Sequence, residues 1–196
     1  MSRHSVVVGI DLAGVETRPS GVCLLEPTRV QTVLLYRDEE IIDFVEFHQP
    51  ALVAVDAPLN LPPGRRSMAE RNRVHLRPCD EELRRRGIPF FPITLGPMRT
   101  LTQRGIGLKE RLEKKGWRVV EIYPGGAQDV WRIPRAKHNR EGLRKGLARL
   151  GLKGLKKEAT DHELDAATGA LVGRLFLEGK AEIFGDFETG AILMPR

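Results

Sequence analysis

The chain has 196 residues, 41% of them hydrophobic and 30% charged, with a formal net charge of +6. That size and balance suit one soluble domain with a proper core, expected to span 1–196 with a helical insertion at about 62–116. No apolar run approaches the ~20 residues needed to cross a bilayer, and residues 2–5 are polar with no signal-peptide pattern, so no membrane contact and a cytoplasmic location are expected.

The first predicted strand covers residues 4–11 and ends in Val8-Gly9-Ile10-Asp11. A turn containing Gly14 and Pro19 leads to a second strand at 21–25, Pro27 breaks it, and a third follows at 30–36, the spacing of an antiparallel meander. Asp38 opens a helix carrying Ile41, Ile42, Val45 and Phe47, and the fourth strand, Leu52-Val53-Ala54-Val55-Asp56, comes next. Near-continuous Val/Ile/Leu runs of this kind suit strands buried on both faces, as in parallel sheets.

Pro58, Pro62, Pro63 and Gly64 mark a stiff loop before a polar stretch, 65–115, with room for two or three helices. One runs from Asp80 to Gly87, acids first and bases last; another covers about 108–115. A fifth strand at 118–123 stops at Pro124-Gly125-Gly126. Short helices near 127–131 and 140–150, a long one at 161–178, and strands near 181–184 and 191–194 complete the chain. The order β-β-β-α-β-α-β-α is that of a ribonuclease H-like α/β fold: a mixed sheet, antiparallel meander plus parallel strands, flanked by helices. Cys23 and Cys79 lie far apart without CxxC or histidine spacing, which argues against a disulfide or a zinc site.

Two strands thus end in aspartate, and a carboxylate in such a place is costly to bury unless paired or metal-bound. With strands one, four and five as parallel neighbours ~4.8 Å apart, Asp11, Asp56 and Glu121 reach one carboxyl edge. On the last long helix Asp165 stands beside Ala166, Ala167, Gly169 and Ala170, small residues that allow close approach to a sheet. Asp161 reads as a first-turn acid favoured by the helix dipole, and His162 as an exposed first-turn residue in preference to a proton carrier. The catalytic set is then Asp11, Asp56, Glu121 and Asp165, with Asp11, Asp56 and Asp165 as ligands of Mg²⁺ or Mn²⁺, which hard oxygen donors select.

Arginines crowd the segment after Asp56 (Arg65, Arg66, Arg71, Arg73, Arg77), with Arg99 and Arg104 beyond, and their forks suit phosphate; a solvated helical surface is the alternative. Arg77, Arg99 and Lys137 are assigned to substrate. Phe90 and Phe91 fit either a base-stacking element or a small core between helices.

Five motifs in order carry a family resemblance: Gly9-Ile10-Asp11-Leu12-Ala13-Gly14, Val55-Asp56-Ala57-Pro58-Leu59, Arg77-Pro78-Cys79-Asp80, Glu121-Ile122-Tyr123-Pro124-Gly125 and His162-Glu163-Leu164-Asp165-Ala166. Together they resemble the domain of unknown function 429, over residues 5–195. The resemblance implies a metal-dependent nuclease with a ribonuclease H fold and a nucleic-acid partner. It leaves Arg77 and Asp80 open between a second functional patch and an internal ion pair. Two other functions compete: a non-catalytic nucleic-acid or protein-binding module on the same fold, and an actin-like phosphotransferase. The latter needs two lobes where this chain has room for one, and no P-loop is present.

Overall fold

A computed structural model describes residues 6–196, so the predicted strand start at residues 4 and 5 lies outside the described residues. Strands β1 (Val7–Asp11), β2 (Ser20–Glu26) and β3 (Arg29–Leu35) form the expected antiparallel meander. Helix α1 (Asp38–His48) then leads to β4 (Leu52–Asp56), which pairs in parallel with β1. After α2 (Pro78–Arg85) and α3 (Gly96–Lys114), β5 (Val119–Ile122) lies parallel to β4. Helices α4 (Pro124–Val130), α5 (Arg140–Arg149) and α6 (Asp161–Leu177) precede the hairpin of β6 (Ala181–Asp186) and β7 (Gly190–Pro195). Strand β7 adds to β5 in parallel, giving the order β3-β2-β1-β4-β5-β7-β6.

Because side chains alternate across a strand, each apolar run feeds two cores. Val7, Leu52, Ala54, Val120 and Ile122 pack with Ala166, Ala170 and Leu171 of α6 and with Leu143 and Leu147 of α5. Val8, Ile10, Val53, Val55 and Val119 pack on the other face with Ile41 and Val45 of α1 and Leu108 and Leu112 of α3. A smaller core joins Cys79 and Leu83 of α2 to Phe184, Ile192 and Met194. Both cysteines are buried and free.

Helix α3 begins twelve residues before the predicted position. Gly105 and Gly107 weaken the helical signal there, but Gly105 is needed: a Cβ would stand 2.9 Å from the Ala57 Cβ and the Pro58 carbonyl. Tertiary contact with the loop after Asp56 thus outweighs propensity. Helix α2 starts at Pro78, with proline in the first turn, where its missing N–H costs nothing.

Two arginines of the basic segment hold backbone instead of facing outward. Buried Arg65 donates to the carbonyls of Ser67, Glu70 and Val74 and to Asn72 Oδ1, organising the proline-rich loop. Arg104 binds Asp38 and the carbonyls of Ala13 and Tyr36, which fixes the loop after β1.

Candidate metal centre

The register sets Asp11 directly opposite Asp56 at the carboxyl ends of neighbouring parallel strands, on the face covered by α6. Helix α6 reaches that edge because β1 and β2 carry glycine, at positions 9 and 21, beneath its first half. A Cβ on Gly9 would stand 2.1 Å from the Ala166 carbonyl oxygen, and one on Gly21 would stand 2.0 Å from that of His162. Backbone therefore meets backbone, and the first turns of α6 lie over the ends of β1 and β2. Thr160 caps the helix in a reciprocal box with Glu163, whose other oxygen accepts the Thr32 hydroxyl of β3 at 2.6 Å.

This docking delivers two side chains to the aspartates. His162 Nδ1 lies 2.6 Å from Asp11 Oδ2, and that hydrogen bond is the main reason the imidazole pKa is raised. Asp165 Oδ1 accepts from Gln128 Nε2 at 2.6 Å; Gln128 is buried and bonds also to Thr168. Burial, and then the Asp11 charge, push the Asp165 carboxyl up to about 7. Asp56 is pushed well above its ordinary value by burial and by the charges of Asp11, Asp165 and Glu121.

Among the described residues no lysine or arginine pairs with Asp11, Asp56 or Asp165, and His162 is the basic group in ion-pair contact with them. Three carboxylates with no arginine or lysine to neutralise them are unfavourable for the apoprotein, and an oxygen-rich donor set of this charge fits a hard divalent cation. In this conformation no three His, Cys, Asp or Glu side chains among the described residues stand close enough together to ligate one ion. Asp11 is turned to His162 and Asp165 to Gln128, each through one oxygen, which leaves the second oxygen of each outside those hydrogen bonds.

Glu121 does not join this group. It is in register with Val55, one residue short of Asp56, and so faces the opposite side of the sheet with Val119. There it is buried and accepts from Arg77 Nη1 (2.7 Å), Arg77 Nη2 (2.9 Å) and the Leu59 amide (2.8 Å). Arg77, expected at the substrate, is 2% exposed and also grips Asp80 through Nε (3.0 Å) and Nη2 (2.8 Å). Burial alone would lower its pKa, but the two carboxylates hold it charged. Of the two readings left open for Arg77 and Asp80, this is the internal ion pair. Arg99 sits partly exposed on α3 and donates to the Met68 carbonyl, and Lys137 is exposed in the turn before α5.

His162 and Gln128 complete the centre and were not among the predicted site residues. The spacing of His162 and Asp165, i and i+3 on a helix, puts both on one face and was the available signal. Gln128 carries no comparable mark.

The mixed sheet with helices on both faces is a ribonuclease H-like fold. Residues 9–189 match the family described as Protein of unknown function (DUF429), and the chain belongs to that family. No curated protein sequence matches it. Among solved structures it is similar to T. thermophilus RuvC in complex with Holliday junction substrate, with a TM-score of 0.50 and 15% identity over 89% of this chain and 94% of that one. A second Thermus thermophilus RuvC structure gives 0.48 and 13%, covering 89% and 96%. The yeast mitochondrial Holliday junction resolvase gives 0.43 and 14%, covering 90% and 81%.

Proposed function

We propose that this chain is a nuclease that hydrolyses phosphodiester bonds with a divalent metal, Mg²⁺ or Mn²⁺, held by Asp11, Asp56 and Asp165. The observation that carries the reading is the convergence of three carboxylates from three elements with no arginine or lysine among them. The ribonuclease H-like fold and the similarity to a resolvase bound to Holliday junction DNA support nucleic acid as the substrate class. A cation held here supplies Lewis-acid polarisation of a phosphodiester.

The protein's own groups then have distinct tasks. His162 orients Asp11 through Nδ1 and keeps one of its oxygens fixed. Gln128 does the same for Asp165. Glu121 acts through Arg77 and the Leu59 amide, bracing the loop that follows Asp56, and is a positioning residue. Arg99 and Lys137 are the proposed phosphate contacts; Arg77 is not, because its guanidinium is engaged inside the protein.

The test is a cleavage panel with purified protein and Mn²⁺ on single-stranded, duplex, hybrid and branched DNA and RNA. Cleavage that disappears in Asp11→Asn, with an unchanged circular dichroism spectrum, is the expected result. An unchanged rate in Asp11→Asn removes the assignment. Binding without cleavage in every metal favours a non-catalytic module.

A further inference from the structure

A cavity of about 180 Å³ opens off the carboxyl edge of β4 and β5. Its wall includes Asp56, so it adjoins the carboxylate centre, and the rest is chiefly apolar and aromatic: Phe90, Phe91, Met98, Leu101 and Tyr123. These residues come from three separate segments, the one after α2, helix α3 and the end of β5. Phe91 is 68% exposed at its rim.

Apart from Asp56, the polar side chains in the wall are already committed. Arg77, Asp80 and Glu121 satisfy one another, and the Tyr123 hydroxyl donates to the Pro89 carbonyl at 2.5 Å. Such a cavity offers π faces and aliphatic surface but few free hydrogen-bonding groups. It has space for one flat heteroaromatic ring system and not for a stacked pair. Aromatic side chains bind unpaired bases this way with little regard to sequence.

We infer that this cavity receives a single unstacked nucleobase of the strand whose phosphate lies at the Asp11–Asp56–Asp165 centre. The inference rests on the nuclease reading and sharpens its substrate class: nucleic acid that offers an unpaired nucleotide beside the scissile bond. A continuous duplex must first unpair and unstack that nucleotide and is the poorer substrate.

The experiment uses full-length wild-type protein with Ca²⁺ in place of Mg²⁺, an oxygen-bound cation of the same charge, titrated into single strands carrying 2-aminopurine at successive positions. One position should change its emission on binding, and Phe91→Ala should abolish that change and weaken binding about tenfold, the value of one lost stacking contact. Phe91→Trp should restore both, and its exposure makes either substitution safe for the fold. Equal affinity and emission with Phe91→Ala, or duplex bound as tightly as single strand, overturns the inference. The nuclease reading fails separately: cleavage by otherwise wild-type protein that is indifferent to Phe91→Ala removes the cavity but keeps the nuclease. An emission change without cleavage in any metal does the reverse.

Discussion

Two groups of acidic side chains sit at the same end of one sheet and differ in what neutralises them. Asp80 and Glu121 enclose Arg77, and all three side chains are at most 5% exposed. Asp11, Asp56 and Asp165 converge on the other face with a single imidazole in contact. Buried carboxylates that are structural carry their counter-charge within the chain; carboxylates that lack one take up a proton or a charge from outside. Chemistry alone does not separate the two groups, since both are carboxylates brought by strands and a helix to one end of the sheet. The position of one arginine does.

The largest effect should come from removing the uncompensated set. Asp11→Asn is expected to bring cleavage below detection and to abolish Mn²⁺ binding measured by calorimetry, with thermal stability kept or raised. A comparable loss of activity accompanied by unfolding would mean that the two groups are both structural. Next, Arg77→Met strands two buried carboxylates and should cost about 3–5 kcal/mol in urea denaturation. A loss within the range of a surface substitution would contradict the burial of the triad.

A smaller effect, with a definite sign, belongs to Asp165. Its folded carboxyl, pushed up to about 7, holds a proton that the unfolded chain releases near 4. The metal-free protein therefore loses stability as pH rises from about 4 to about 7 and changes little from this source above that. Asp165→Asn should flatten the decline in melting temperature measured in a chelator. Mg²⁺ should flatten it in the wild type, because a ligand of the folded state stabilises it. The smallest effect is expected for Lys137→Ala, which should weaken binding to all nucleic acids alike and reduce the slope of log K against log salt by about one.

The fold was legible in the sequence because its strands are apolar and well punctuated, and because element order restricts the topology. The neighbourhood of Asp11 and Asp56 followed from two parallel strands that each end in aspartate. Glu121 could not be placed that way. Its strand, Val119–Ile122, is buried on both faces, so no polar alternation reveals which way a side chain points, and register is a property of the pairing rather than of either strand. The first half of α3 was hidden for a related reason, since Gly105 is selected by contact with residues 57–59. Gln128 was invisible because a lone amide on a short helix has meaning only through the Asp165 oxygen it meets.

The bare contacts of Gly9 and Gly21 with α6 have one more consequence. They act as a gauge: at these two positions main chain rests on main chain, and no side chain stands between helix and sheet to take up slack. Further along α6 the spacing is instead set by side chains, with Ile122 beneath Gly169 and Val7 beneath Gly173. A methyl group at position 21, by contrast, would be a shim between His162 and the sheet, and would move the helix-borne ligands as one body away from the strand-borne pair.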